Sequence, residues 1–374
     1  MEKTQEPSQK GIPKKLDFSL VARVSEDCNI RCKYCYLDSY SKRNMSSETA
    51  DMLIKEFMRY NDNFAHFTWI GGEPLIREDS FFQEIMDSSK KHNIKNLRVS
   101  HSIQTNGLYS PGRFDTLKKM GFKIGISYDG APDLQAFHRV GGKNAEKIIE
   151  NIYQTKRNAG IISVLTKKSI GREKEIYDFF KENTTFARVN LFAPTGKGLA
   201  HEKELIPSIE EAKSMLLNFY SLWREDNSPL ELRPHREIVR SFFTGFPVNC
   251  EYSAVSCYKI FGSDSKGDIY TCSRSIHIPE MKLGHISEGL DKLVDSKPHQ
   301  KILERYLYLK EKSNSPYFHI SCGGCPVEAY SHTGDMMNLA FFSGEPRDAL
   351  FREIEKDLKN DAKRKKLERK AGII

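Results

Sequence analysis

Phe18-Ser-Leu-Val-Ala-Arg-Val24-Ser-Glu-Asp-Cys28-Asn-Ile-Arg-Cys32-Lys-Tyr-Cys35 is the stretch on which the reading of this chain turns. Its first seven residues are a β-rich run and read as a strand. Three cysteines follow directly, on one tight loop. Three thiolates so placed can converge on three corners of a cuboidal [4Fe–4S] cluster and leave its fourth iron open. The open iron matters chemically because it can bind and reduce a cofactor. The competing reading, a structural zinc site, wants a fourth nearby Cys or His. No His lies between Ser25 and Ala65.

Outward from this loop, the chain has 374 residues, of which eight are Cys, with Lys+Arg 58, Asp+Glu 50 and a net charge of +8. After Cys35 no cysteine occurs until Cys250, and then come Cys257, Cys272, Cys322 and Cys325. A chain this long buries a large core without covalent help, so a disulfide-stapled module is excluded. Short clustered spacings in such a chain read as metal or cluster ligation. Hydrophobic residues at 39% and charged residues at 29% describe a soluble globular protein. No apolar run approaches the roughly 20 residues of a membrane span. Met1 to Lys15 is polar and lacks the apolar core of a secretory signal, so a reducing cytoplasm is expected. Much of the positive charge lies in Asp361 to Lys370, which reads as a solvated helix end rather than a nucleic-acid site.

From Phe18 to about Pro194, short β-rich runs alternate with amphipathic stretches. The strands expected are Phe18–Val24, His66–Ile70, Leu97–Gln104, Lys123–Ser127, Ile161–Thr166 and Ala187–Phe192. The clearest helix is Ser46–Tyr60, with Ala50, Leu53, Ile54, Phe57 and Met58 on one face and Ser46 or Ser47 as N-cap. Phe81–His92, Arg113–Met120, Ala145–Ala159, Glu173–Asn183 and Ile209–Arg224 read likewise. Six strands alternating with helices imply an α/β fold with a parallel sheet, two strands short of a full barrel. Catalytic groups are then expected on the loops after the strand C-termini. Beyond the last of these helices, turns and five cysteines suggest a second domain organised around ligation. The divisions expected are an N-terminal tail 1–17, a barrel 18–230, a cysteine-rich domain 231–345 and a charged helix 346–374.

The C-x3-C-x2-C loop, with the aromatic Tyr34 before its last cysteine, resembles that of the radical S-adenosylmethionine (SAM) superfamily. Other strand ends agree with that resemblance. Gly71-Gly72-Glu73-Pro74 matches the family's GGEP segment, which binds the methionine amine of SAM. Two glycines permit close backbone approach, and a Glu can accept from an ammonium group. Gln104-Thr105-Asn106-Gly107 and Ser127-Tyr-Asp129-Gly130, followed by His138-Arg139, resemble elements of the peptide-modifying SPASM/Twitch branch. The resemblance implies a partial (β/α)6 TIM-like barrel. It also implies that Gln104, Asn106, Ser127 and Arg139 contact the SAM ribose and carboxylate, with Leu191 or Phe192 near the adenine. Hydroxyl and amide groups suit a ribose, and a guanidinium suits a carboxylate. Asp129 is either a turn-capping residue or a substrate contact, and His138 is expected to be structural. Gly141-Gly142 and Gly196-Lys-Gly198 are too short for a phosphate loop and receive no function.

Cys257, nine residues, Gly267, four residues and Cys272 match the C-x9–15-G-x4-C signature of SPASM/Twitch domains. Leu283-Gly-His-Ile286 is similar to the hairpin of those domains, and Cys322-Gly-Gly-Cys325-Pro to their GGC segment. A full SPASM domain brings seven or more cysteines and two auxiliary clusters; five remain here. The resemblance therefore implies one auxiliary [4Fe–4S] cluster on Cys250, Cys257, Cys272 and Cys325. Cys322 is left as an alternative ligand or as a hydrogen-atom donor, and a zinc ribbon is the competing reading of this group.

What the resemblance implies is an oxidoreductase that reductively cleaves SAM to a 5′-deoxyadenosyl radical and abstracts hydrogen from a peptide. The first expectation is a maturase of a ribosomally made precursor peptide, installing a C–C, ether or thioether crosslink. The alternatives are a peptide epimerase, a sulfatase-maturing (formylglycine-forming) enzyme and a small-molecule dehydrogenase. From another class come an electron carrier and a zinc-binding module, neither of which needs a SAM pocket. A flavodoxin- or ferredoxin-type electron donor is expected as a partner, with no nucleic acid and no membrane. About 17 residues before the first strand leave no room for a leader-binding domain, so a separate leader-binding protein is the expected alternative. The base that accepts a second proton has no signature in the sequence.

Overall fold

The computed structural model describes residues 16–374. The expected tail, 1–17, lies outside the described residues except for Leu16 and Asp17. The sheet has ten strands: β1 (Ser19–Ser25), β2 (Phe64–Gly71), β3 (Arg98–Thr105), β4 (Lys123–Ser127), β5 (Gly160–Leu165), β6 (Phe186–Leu191), β7 (Glu231–Arg233), β8 (Ile260–Ser263), β9 (Asp268–Tyr270) and β10 (Lys282–His285). Their order is β10-β9-β8-β1-β2-β3-β4-β5-β6-β7. β1 through β7 form one parallel ladder, as serial βαβ units require. All six expected strands are present within one residue at each end, apart from two extra residues at the start of β2.

Alternation along each strand divides the sheet into two faces. Leu20, Ala22, Val24, Phe67, Trp69, Ile103, Ile126 and Ile161 are buried beneath the crossover helices. Arg23, Thr68, Gln104, Ser127, Arg188 and Asn190 occupy the alternate positions and face the other way. The helix Ser47–Tyr60 shows why the crossovers lie where they do. Ser46 caps it by accepting from the Thr49 amide, and Leu53, Ile54, Phe57 and Met58 are at most 1% exposed. Each of those side chains contributes roughly 1.5–3 kcal/mol, against about 1 kcal/mol for the cap. Burial therefore fixes this helix more than capping does.

The cysteine-rich part extends the same sheet. β8 runs parallel to β1, with Val21 opposite Gly262, and β9 turns back antiparallel to it. The Asp264 carboxylate accepts from the Lys266 and Asp268 amides, and Gly267 takes a φ of +95° that closes the turn. The charged C-terminal segment is two helices, Glu345–Leu358 and Asp361–Ala371, rather than one. Asn360 breaks the run because its side chain accepts from the Lys363 amide and starts a new helix. The first of the pair packs one face inward: it buries Leu350, Phe351 and Ile354, and its Asp357 accepts from Tyr220 on the helix Ile209–Glu225.

Candidate active site

The cysteine loop leaves the C-terminal end of β1 and is fastened from several sides. The Gly72 amide donates to the Ser25 carbonyl and the Glu73 amide to the Asp27 carbonyl, both at 2.8 Å. A Cβ on Gly71 would lie 2.4 Å from the Ser25 oxygen, and one on Gly72 only 2.2 Å from the Asp27 oxygen. No side chain fits there, which explains the two glycines. The Lys33 amide donates to the His138 carbonyl at 2.8 Å. Gly196-Lys-Gly198, given no function above, braces the far side: the amides of Lys197 and Gly198 donate to the Leu37 and Cys35 carbonyls.

Within this frame Cys28 is buried and Cys32 and Cys35 are half-buried. Burial pushes the Cys28 thiol up to about 11, helped by Glu73 and Cys35. Burial also pushes Cys32 up to about 12, with Arg139 opposing and the Cys35 and Cys28 thiols adding to it. Asn106 Nδ2 stands 3.9 Å from Cys28 Sγ as a donor. Among the described residues no three His, Cys, Asp or Glu side chains are close enough to share a single metal ion. The three thiols are instead spread at distances over which their charges still interact. With Arg139 and Asn106 beside them, they fit a thiolate-ligated cluster.

The expected strand-end residues meet around this loop. Glu73 is buried, and its carboxylate accepts from Leu75 N (2.9 Å), Thr105 Oγ1 (2.8 Å) and Asn106 N (2.7 Å). Burial pushes it up to about 7 while these donors pull the other way. Both oxygens are thus engaged by the chain itself, tying the end of β2 to the end of β3. Pro74 opens a single turn, Pro74–Ile76, that leads away. Gln104 Nε2 donates to Ser127 Oγ at 2.9 Å, so the two ribose candidates stand side by side. Leu191 ends β6 half-buried, and Phe192 packs with Tyr34 and Leu205.

Asp129 is fully buried. Its Oδ2 accepts from Tyr34 Oη at 2.6 Å and from Arg139 Nε at 3.3 Å, with His138 Nδ1 at 3.2 Å. Oδ1 lies 3.3 Å from the Val164 amide. Burial alone would raise this carboxyl, but Arg139, His138 and Tyr34 together hold it below the usual carboxylate range. Both oxygens of Asp129 are engaged by the chain itself, making it the hub between Tyr34, Arg139 and Val164. His138 is buried and also meets Thr166 Oγ1 at 2.8 Å, the structural part expected of it. Among the described residues, the Arg139 guanidinium donates only its Nε, and it lies over the Tyr34 ring at 4.9 Å.

The second cysteine group assembles on the same side of the sheet. A Cβ on Gly262 of β8 would lie 2.3 Å from the Cys272 backbone, so Cys272 crosses directly over the strand paired with β1. Burial pushes Cys257 well up, and the thiols of Cys250, Cys325, Cys272 and Cys322 add to it in that order. All five cysteines are thus neighbours. Cys322 sits at a left-handed φ of 44°, with Sγ 3.9 Å from the Glu251 carbonyl. Tyr36 lies between the groups: Cys35 and Cys272 both add to the upward shift that burial gives its phenol. Glu251, Arg188, Arg274, Arg305 and Arg347 also border these thiols. Sequence reasoning missed them, because isolated charged residues between motifs carry no spacing signal.

Residues 23–180 match the family model described as the Radical SAM superfamily. This segment is a radical SAM domain. It contains the first cysteine loop and every strand-end residue named above except Leu191 and Phe192. A radical SAM domain uses a [4Fe–4S] cluster and SAM, which the three thiols and the Arg139 guanidinium beside them fit. The chain is 26% identical over 331 residues to the cysteine-type anaerobic sulfatase-maturating enzyme of Clostridium perfringens strain 13, covering 82% of this chain and 88% of that one. It is 24% identical over 354 residues to the serine-type anaerobic sulfatase-maturating enzyme of Bacteroides thetaiotaomicron, covering 85% and 84%. Among solved structures, native anSMEcpe with bound AdoMet and the Cp18Cys peptide superposes with a TM-score of 0.79 at 22% identity, covering 92% of this chain and 98% of that one. Streptococcus suis SuiB bound to precursor peptide SuiA superposes at 0.61 with 15% identity, covering 88% and 77%. Beyond the radical SAM domain, these matches extend into the second cysteine group. No described helix is long and apolar enough to cross a membrane.

Proposed function

We propose that this radical SAM enzyme oxidises a Cys or Ser side chain within a peptide; the relatives it is similar to are named cysteine-type and serine-type anaerobic sulfatase-maturating enzymes. The observation that carries the reading is the extent of that similarity, which covers 82% and 85% of this chain and 88% and 84% of those relatives. It moves the preference from peptide crosslinking, the first expectation, to the sulfatase-maturing alternative. The five cysteines of the second group against the seven or more of a full SPASM domain point to a single auxiliary cluster.

In this reading Cys28, Cys32 and Cys35 hold the SAM-binding cluster, and Cys250, Cys257, Cys272 and Cys325 hold the auxiliary one. The bound pair of cluster and SAM supplies a carbon radical strong enough to take hydrogen from an unactivated carbon. The chain's own residues orient and exclude. Arg139, fixed by Asp129, turns its terminal nitrogens to the SAM carboxylate. Gln104 and Ser127 present an amide and a hydroxyl to the ribose, and Leu191 lines the adenine. Gly71, Gly72 and Pro74 let backbone approach the methionine amine, while Glu73 and Asn106 keep the ends of β2 and β3 in place. Residues 18–230 then serve SAM cleavage and 231–345 the auxiliary cluster, with a peptide and a flavodoxin- or ferredoxin-type donor as partners.

The test is anaerobic incubation of the reconstituted protein with SAM, reductant and matched Cys and Ser peptides, followed by mass spectrometry. A Ser peptide should lose two hydrogens; a Cys peptide should lose two hydrogens and exchange sulfur for oxygen. Both products should react with a hydrazide as aldehydes. Two hydrogens lost with a new bond between residues, and no aldehyde, would restore the crosslinking reading.

A further inference from the structure

The second cysteine group is ringed by arginines that no step of the proposed reaction uses. Arg274 Nη1 stands 3.7 Å from Cys325 Sγ as a direct donor to a thiol. Arg305 is 3% exposed and spends its guanidinium on backbone: Gly324 O at 3.0 Å, Gly323 O at 2.9 Å, Asn338 O at 2.7 Å, with Cys322 O at 3.5 Å. Arg347, also 3% exposed, donates Nη1 to the Glu251 carbonyl at 3.0 Å, beside Cys250. Arg188 reaches Asn249 Oδ1 at 3.4 Å on the other side of that cysteine. Each guanidinium thus grips one piece of a loop that carries a thiol.

The carboxylates in the same shell are fewer. Glu251 lies 3.5 Å from Arg347, and buried Glu328 accepts from the Phe342 amide. Glu237, which borders Arg188, is already matched by Arg233 at 3.1 Å. Four guanidiniums against two carboxylates leave two positive charges in excess. Buried charge without its counter-charge is costly, so the shell is built for an anion. Four thiolates around an oxidised [4Fe–4S] core carry two net negative charges, and one-electron reduction adds a third.

We propose that Arg274, backed by Arg188, Arg305 and Arg347, is a positioning and charge-tuning residue that raises the reduction potential of the auxiliary cluster. Net charge and hydrogen bonds to the sulfurs are the levers a protein holds over such a potential. The direction suits an electron acceptor. Oxidising the substrate carbon removes two electrons and two protons: one of each leaves as the abstracted hydrogen atom, and the second proton goes to a base. The remaining electron needs an acceptor, and an easily reduced auxiliary cluster takes it. The proposal rests on that group holding a cluster, but it does not require the peptide reading.

The experiment is an EPR-monitored redox titration of the full-length reconstituted protein without peptide, with iron counted in each variant. At the wild-type midpoint, Arg274→Gln should lower the auxiliary cluster's reduced-to-oxidised ratio at least tenfold, a shift of about 59 mV. Arg274→Lys, which keeps the charge, should restore most of that ratio. Glu251→Gln removes a negative charge and should shift the ratio upward. The first cluster's midpoint should stay put throughout. An unchanged potential in Arg274→Gln overturns the proposal, as does a downward shift in Glu251→Gln. Where Arg274→Gln loses its iron, the sign in Glu251→Gln alone decides. A wild-type protein with iron for one cluster only would defeat the cluster assignment itself, whatever the peptide assay returns.

Discussion

Asp129→Asn isolates the hub that fixes the SAM-facing residues. The carboxylate is fully buried; one oxygen accepts from Tyr34 and Arg139, with His138 Nδ1 at 3.2 Å, and the other from the Val164 amide. The substitution keeps the shape and removes the charge, so the buried Arg139 guanidinium loses its counter-ion. Breaking a buried pair from one side costs about 3–5 kcal/mol, or roughly two to four orders of magnitude in the folding equilibrium at about 1.4 kcal/mol per factor of ten. Arg139→Met leaves the opposite charge stranded, though Tyr34 still donates to it. The double variant strands neither, and its loss should fall short of the sum of the two by about 1–3 kcal/mol. Urea midpoints of the iron-free protein, measured anaerobically near neutral pH, give all four corners of the cycle. A loss under about 1 kcal/mol in Asp129→Asn, or additive losses, would refute the reasoning. In reconstituted protein, the same variant should raise the KM for SAM, because Arg139 is no longer aimed.

Further outcomes concern the thiols and the glycines. Replacing Cys28, Cys32 and Cys35 together by Ala should abolish SAM cleavage while iron remains on the second group; a triple variant without iron contradicts the two-site arrangement. Cys322→Ala should keep the iron of both clusters, and loss of one cluster's iron would make it a ligand. Cys28 and Cys250 rise from an ordinary value of 9.0 to about 11 and about 12 on folding. A folded pKa above the unfolded one stabilises below the unfolded value and is lost through the folded one. The iron-free protein should therefore lose stability between about pH 9 and pH 12, with each thiol contributing a slope of about 1.4 kcal/mol per pH unit between its unfolded and folded values. Iron loading, which needs thiolates, should strengthen as pH rises; titrating both forms measures the two effects. Gly72→Ala, whose Cβ would meet the Asp27 oxygen at 2.2 Å, should push the cysteine loop aside and cut SAM cleavage at least tenfold.

The barrel strands were legible because each is an apolar run bounded by turn residues and separated from the next by an amphipathic helix. β7 through β10 are three or four residues long; β7 and β8 left no trace, whereas β10 overlaps Leu283-Gly-His-Ile286, the run similar to a hairpin. Gly262 interrupts β8 for a reason invisible in sequence, since the Cys272 backbone fills the space of its side chain. At the site, the first cysteine loop was legible from its spacing, and the strand-end motifs from their resemblance to those of a known family. Engagement of Glu73 by Leu75, Thr105 and Asn106 depends on two strand ends meeting, which one sequence does not reveal. The same holds for Arg274 and Arg305, each brought to the thiols by a separate element, and for Gly196-Lys-Gly198, whose bracing of the Cys35 side depends on a loop far away in the chain. Splitting of the C-terminal helix at Asn360 was readable in principle, as an Asn that caps the residues after it.

The central claim is that this chain takes a hydrogen atom from a residue within a peptide, using SAM. A Cys peptide carrying deuterium on its side-chain carbon tests it in one anaerobic run, read as the isotopic composition of the 5′-deoxyadenosine produced. The account predicts 5′-deoxyadenosine enriched in deuterium and an aldehyde peptide in which, of two deuterons on that carbon, one is lost and one is retained. Unlabelled 5′-deoxyadenosine beside an intact peptide would contradict it.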